Sequence, residues 1–417
     1  MKADGGGGLW RALKVPEFRA LWAATAIGRA GAQIGRVALA VLAYQRTGSA
    51  SVTALVYALT LVPALVGGPL LGGLADRYPR RSLIVVCGLA RALLVAPAAV
   101  PAIPLPVLAA LIVAAQLLES PVVAAQVAVT PDVLPPSVYR AGVAIQQLTA
   151  QLVALLGFAA GGVLVSAVGT SGSLVANAAA FAVSALIVWR GLRRRPAARA
   201  RRTADGPGNG SGSGSENSTE RGGFVAGLRL LLTDRRLRSL LALALLAGFH
   251  VVPEPLAAPY AAKLGVGSAA VGLLMAAIPV GNLLGVFLVA RFMPASAQTR
   301  LLGPLALCAS LPLLASAFFP GLVVSLLLWA LIGLFGAYQV TANAEFVRLT
   351  PDEWRGRLVG IASAALVAAQ GLGVIAAGAL ATAFGVSGAL LVAGAAGLAA
   401  GVPAALDWRR ARTGRPT

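Results

Sequence analysis

The chain is predicted to be an all-α integral membrane protein, with twelve transmembrane helices forming two six-helix bundles related as parallel repeats. Three observations predict this. Apolar stretches long enough to cross a bilayer recur along 417 residues that are 58% hydrophobic. Basic residues gather at alternate joints between those stretches. Short motifs of the first half return in the second at nearly fixed spacing.

A hydrocarbon core of about 30 Å needs roughly 20 apolar residues per helix. Candidate spans run over 20–44, 51–74, 82–100, 104–128, 143–167 and 170–190, then over 238–261, 267–292, 301–319, 321–346, 357–382 and 385–406. The expected organisation is a cytoplasmic tail over 1–19, a first bundle over 20–190 and a linker over 191–236. A second bundle over 237–406 and a cytoplasmic tail over 407–417 follow. The linker begins as a basic run and continues from Asp205 to Ser218 as a Gly/Ser/Asn stretch, the composition of a flexible, partly disordered connection.

Charge orders these spans across the membrane. Of 34 Lys and Arg residues, all but five lie in the tails, in the linker or at the joints near Arg77, Arg140, Arg291 and Arg348. The intervening joints hold only Arg46 and Lys263, and Arg29, Arg36 and Arg91 lie inside spans. Because Lys and Arg flanking a span stay cytoplasmic, both termini and the linker are assigned to the cytoplasm and the number of spans is even. Arg greatly outnumbers Lys, and Ala and Gly dominate, as in a GC-rich bacterial genome, so the expected location is a bacterial plasma membrane.

The same composition excludes other classes. A soluble globule of this size needs far more polar surface, so the solvent is lipid. A net charge of +20 would suggest a nucleic-acid partner in a soluble protein. Here the basic residues are spread over the cytoplasmic joints, where anionic lipid accounts for them, and no nucleic-acid partner is expected. Two cysteines, Cys87 and Cys308, in different halves support neither a disulfide framework nor a metal site. No phosphate-binding glycine loop ending in Lys-Ser/Thr occurs, so energy is expected from a gradient rather than ATP. No enzymatic activity and no cofactor are expected, and the chain is expected to be a monomer.

The halves repeat one another. Thr130-Pro131-Asp132 recurs as Thr350-Pro351-Asp352, and Gly162, Gly169, Ser171 and Gly172 recur as Gly378, Gly385, Ser387 and Gly388. This is the signature of a duplicated six-helix unit.

Between the second and third spans the sequence reads Gly72-Gly73-Leu74-Ala75-Asp76-Arg77-Tyr78-Pro79-Arg80-Arg81. It resembles the signature loop of the major facilitator superfamily, with Pro79 where that loop has its second glycine. The resemblance extends over the whole chain: six plus six spans, a basic central linker and this loop in its place. It implies a transporter in which Gly72, Asp76, Arg77, Arg80 and Arg81 form a gating loop. A carboxylate at Asp76 suits the N-terminus of the eleventh span near Gly356 as a latch, while the arginines suit phospholipid and cytoplasmic acids. Phe18-Arg19-Ala20-Leu21-Trp22 and the run Ala38 to Ser49 look most like the multidrug and siderophore (enterobactin-type) exporters of that superfamily.

Ionisable groups inside spans cost about 2.5–3.5 kcal/mol each on insertion scales and so mark candidate sites. Glu119, with Gln116 one turn earlier, and Glu254, bracketed by Pro253 and Pro255 with His250 one turn before, are the proton-coupling candidates. The prolines predict an interrupted, bent seventh span. The alternative for each glutamate is a static ion pair, and for His250 a helix-packing role. Arg29 and Arg36 lie seven residues apart on one face of the first span with Gln33 between them. They either bind an anionic substrate group or pair with Glu119. Asn282, Gln339 and Asn343 are further cavity candidates, as are Gln146, Gln147 and Gln151. Interhelical hydrogen bonding is the alternative for each. Gly157-Phe158-Ala159-Ala160-Gly161-Gly162 predicts close helix contact; it resembles the glycine-rich fifth-span element of antiporters in the superfamily, without the proline usual there.

The functional expectation is proton-coupled efflux of amphipathic small molecules by alternating access, with lipid, substrate and protons as partners. An uptake facilitator or symporter for a sugar, acid or metabolite is the first alternative. A non-transporting membrane sensor is the second.

Overall fold

The computed structural model describes residues 10–63, 67, 71, 74–195 and 226–413, apart from the side chains of 75 and 76. Among them the secondary structure is helical, with no strand. The first part of the chain forms α1 (Pro16–Thr47), α2 (Ala50–Ala58), α3 (Leu74–Arg77), α4 (Arg80–Val95), α5 (Leu105–Leu117), α6 (Glu119–Val133) and α7 (Pro136–Gly191). The rest forms α8 (Arg235–Leu245), α9 (Ala247–His250), α10 (Pro253–Lys263), α11 (Ser268–Phe292), α12 (Ala295–Arg300), α13 (Leu302–Ala315), α14 (Leu322–Gly336), α15 (Tyr338–Leu349) and α16 (Arg355–Thr413).

Twelve spans follow from these helices. Eight stretches are long and apolar enough to cross a membrane, and two of them, α7 with 56 residues and α16 with 59, are each long enough for two crossings. Both turn back at a glycine in a conformation that side chains with a Cβ rarely adopt: Gly169 at φ 73°, ψ 178° and Gly385 at φ 72°, ψ 169°. The short apolar helix α13 supplies another, and the expected second span, 51–74, lies partly outside the described residues. Large apolar side chains such as Leu93, Val127, Leu156, Phe287 and Leu327 are exposed on the helix flanks, where lipid rather than water covers them.

Proline and local turns set where helices start and break. Pro79, at φ −56° and ψ 120°, stands at the N-cap of α4, where the family's loop has a glycine. Leu118 interrupts the fourth span between α5 and α6. The seventh span is broken into α8, α9 and α10, with Val251 and Val252 between the last two and Pro253 opening α10. The interruption that the paired prolines predict is therefore present.

The chain divides into two compact units. One contains Met1–Arg46, Leu59–Gly208 and Gly267–Ala276; the other contains Thr47–Ala58, Asn209–Val266 and Ala277–Thr417. Each has an apolar core: Phe18, Leu21, Ile84, Val129, Leu134 and Val188 in the first, and Leu237, Leu240, Tyr338, Phe346, Leu358 and Trp408 in the second. The segment 47–58 belongs with the second unit and 267–276 with the first, a reciprocal exchange with a local cause. Within the first unit Gly162 comes so close to Ala269 and Gly272 that a Cβ on it would lie 2.7 Å from backbone atoms of both. Within the second unit Gly378 comes as close to Ala54 and Ser51, at 2.6 and 3.0 Å. These are the two copies of one repeated glycine, making the same kind of contact.

Candidate functional site

The first unit concentrates charge inside the membrane. α1 carries Arg29 and Arg36, α4 carries Arg91, and α6 begins at Glu119. Arg91 is buried, at 6% exposure. Its Nη2 donates to Glu119 Oε2 at 3.1 Å, and its guanidinium lies 4.2 Å above the Phe181 ring centroid, a cation–π contact. Glu119 therefore has the static partner weighed against a proton-carrying role, and that partner is Arg91 rather than Arg29 or Arg36. Gln116 points elsewhere, donating to Thr60 O at 2.5 Å.

Two cavities open along this face of α1. Arg36, Gln116, Asn177 and Phe181 line one; Arg29, Arg91, Glu119, Gln126 and Phe181 line the other. Phe181 and Ala32 border both, so the cavities adjoin. Gln33 faces away, its Cβ meeting Gly157 of α7, and its buried Oε1 has no partner. The close approach predicted from Gly157 to Gly162 is realised, because Gly161 also meets Ile34 and Val37 of α1. Gln146 lines a third cavity with Arg29, Trp22 and Thr149.

In the second unit the broken seventh span sets the geometry. Glu254 stands at the start of α10, and its Oε2 accepts a hydrogen bond from the Tyr57 hydroxyl of α2 at 2.5 Å. Tyr57 is 1% exposed. Six residues before Tyr57 on α2, Ser51 donates to Gly378 O at 2.8 Å and shares a 2.5 Å hydrogen bond with Thr382, both on α16. His250 is buried and bonded through Nε2 to Ser310 of α13 at 3.0 Å, the packing role weighed against a relay. Gln339 and Asn343 line one cavity with Leu240, Leu241 and Ser363. Asn282 lies apart from them on α11, its backbone within 2.8 Å of a Cβ placed on Gly333.

The gating loop is described in part. Gly72 and the side chain of Asp76 lie outside the described residues, as does most of the linker. Arg77 is exposed. Arg80 donates to Asp132 Oδ2 at 2.5 Å and to Ala128 O at 2.8 Å, and Arg81 donates to Trp189 O. The acid that Arg80 meets is the aspartate of the repeated Thr-Pro-Asp motif. In the second copy Asp352 pairs with Arg355.

Sequence reasoning missed Tyr57, Asn177 and Phe181. A buried asparagine in a span is a readable signal, whereas a tyrosine or phenylalanine among apolar residues gives none. Among the described residues no group of His, Cys, Asp or Glu is arranged to hold a metal ion.

Residues 21–253 match the family model of the Major Facilitator Superfamily. No curated protein matches the chain. Among solved structures, a bacterial homologue of the human lysosomal transporter Spinster, inward-facing and occupied, is similar at a TM-score of 0.70 and 17% identity, over 94% of this chain and 96% of that one. The POT family transporter PepTSo is similar at 0.73 and 12% identity, over 96% and 99%. A D-xylose-proton symporter is similar at 0.68 and 13% identity, over 94% and 97%. At such identities the likeness is one of fold, and the match of more than half the sequence to the family model carries the assignment. The chain belongs to the Major Facilitator Superfamily and is a multi-pass membrane transporter of that fold.

Proposed function

We propose that the protein is a proton-coupled exporter of amphipathic small molecules in a bacterial plasma membrane, with both termini cytoplasmic, working by alternating access of its two six-helix halves. The hydrogen bond between Tyr57 and Glu254 carries the proton-coupled part of this reading. It joins a residue of the second span to a carboxylate at the break of the seventh. A hydrogen bond to an ionised carboxylate is roughly twice as strong as one between neutral groups. Protonation of Glu254 therefore loosens the tie, and deprotonation restores it.

Glu254 stands at the break of the seventh span and is bonded there to a hydroxyl, a position that favours it as the group that takes the proton. Glu119 is committed to Arg91 and serves to hold that arginine in place. The export direction rests on the likeness of Phe18 to Trp22 and Ala38 to Ser49 to multidrug and siderophore exporters. Asp76 is proposed as the cytoplasmic latch at the start of the eleventh span.

The test is transport in proteoliposomes under an imposed pH gradient, with lipophilic anions, cations and neutral compounds as probes. Wild type is expected to show gradient-dependent accumulation. Glu254→Gln is expected to lose the gradient dependence, Tyr57→Phe to flatten the pH profile, and Asp76→Asn to slow transport. A gradient-indifferent wild type would point to a facilitator, and full coupling in Glu254→Gln would remove Glu254 from the mechanism.

A further inference from the structure

Carboxylates and guanidiniums in the first unit do not balance inside the membrane. Each described carboxylate there has its own arginine: Glu17 pairs with Arg195 at 2.7 Å, Asp132 with Arg80 and Glu119 with Arg91. None of these arginines is Arg29 or Arg36. Both of those lie within α1, and among the described residues no acidic side chain lines either adjoining cavity except Glu119, already engaged by Arg91. Among the described residues three guanidiniums therefore face one carboxylate. Arg36 stands near enough to Arg91 for their charges to interact. Like charges gathered in a low-dielectric site repel strongly until an anion joins them.

Two buried polar atoms in this cluster are also without partners. Arg91 Nε and Asn177 Oδ1 are buried and without hydrogen-bond partners, and the residues that carry them are 6% and 5% exposed. Arg91 lines one cavity and Asn177 the other. Buried polar groups are normally satisfied, so orphan atoms beside unpaired guanidiniums mark a place where a polar ligand fits. Around Arg36 the remaining wall is apolar, with Leu39, Leu94, Ile112 and Leu174 beside the Phe181 ring. A guanidinium presents a planar fork of donors matched to carboxylate or phosphate.

Resting on the transporter reading, we propose that the substrate is an amphipathic organic anion, whose anionic group is held by Arg29 and Arg36 while its apolar body lies against Phe181. Seven residues of helix separate the two arginines by about 10 Å along one face, a gap their long side chains span from either end. The anion completes the charge balance that Glu119 leaves unfinished. Glu119 is a positioning residue here, fixing Arg91 and reserving the other two guanidiniums for the ligand.

Binding tests this separately from transport. The probes are a dansyl-labelled undecanoate, its primary amide and the corresponding amine, titrated into the purified full-length protein and read by dansyl fluorescence. The carboxylate is expected to bind at least about tenfold more tightly than the amide, the loss expected for one charge-assisted contact. Arg29→Gln and Arg36→Gln are each expected to remove most of that preference and leave amide affinity unchanged, with Arg36→Lys intermediate. Thermal unfolding in detergent verifies that each variant is folded. Equal binding of carboxylate and amide by wild type would overturn the proposal. So would folded Gln variants that weaken both probes alike. The same probes in proteoliposomes separate the two readings. Carboxylate-selective binding without transport of any probe would sink the transporter mechanism and keep the anion site. Gradient-driven transport of the amine or amide in preference to the carboxylate would do the reverse.

Discussion

At the residue scale, the chemistry of this protein turns on which arginine each membrane carboxylate meets. Glu119, Arg29, Arg36 and Arg91 all stand out in the sequence as costly charges in apolar stretches. Their pairing does not, because residues 28 positions apart reach each other only through helix packing. Arg91 is nearly buried, so removing its partner leaves a charge without compensation. Glu119→Leu is expected to lower stability by about 2 kcal/mol or more, and Arg91→Leu combined with Glu119→Leu to recover much of the loss. Thermal unfolding of the two variants in detergent checks this. An additive double variant would mean that the ion pair contributes little. Tyr57 teaches the same lesson. As one aromatic in an apolar run it carries no visible sign of function until α10 brings Glu254 to its hydroxyl.

At the scale of elements, glycine and proline placed most of the breaks that the structure contains. The prolines flanking Glu254 announced a broken seventh span, and the break lies immediately before Pro253. The repeated pair Gly169 and Gly385 was legible as a repeat, and its cause is conformational, since both occupy a backbone region essentially restricted to glycine. Gly169→Ala or Gly385→Ala is expected to cost about 1–3 kcal/mol each. Equal melting temperatures for wild type and both variants would show that the turns relax without penalty. The interruption at Leu118 had no such herald, because neither glycine nor proline marks it. It separates Gln116, bonded to Thr60 O, from Glu119, bonded to Arg91, two residues whose spacing suggested a shared face.

At the scale of the whole molecule, the proposed topology, with the basic joints in the cytoplasm, predicts what each surface meets. A cysteine placed at Arg195, in a protein whose Cys87 and Cys308 have been replaced, is expected to resist a membrane-impermeant maleimide in intact cells. A cysteine at Val386 is expected to react. Labelling in the opposite pattern would invert the topology. Fold class, number of spans and family were all within reach of the sequence, because lipid imposes length, apolarity and flanking charge on each helix locally, and the ten residues from Gly72 to Arg81 already carry much of a signature loop. The reciprocal exchange of segments 47–58 and 267–276 was not, since it depends on which glycine faces lie close enough for backbones to touch.

The sequence by itself thus determined the solvent, the helices, their order and the residues too costly to be idle. Only the tertiary structure decided that Glu119 belongs to Arg91, that Glu254 belongs to Tyr57, and that Arg29 and Arg36 remain without an acid among the described residues. Helix formation in lipid is dictated by neighbours in the chain, whereas electrostatic pairing is dictated by neighbours in space.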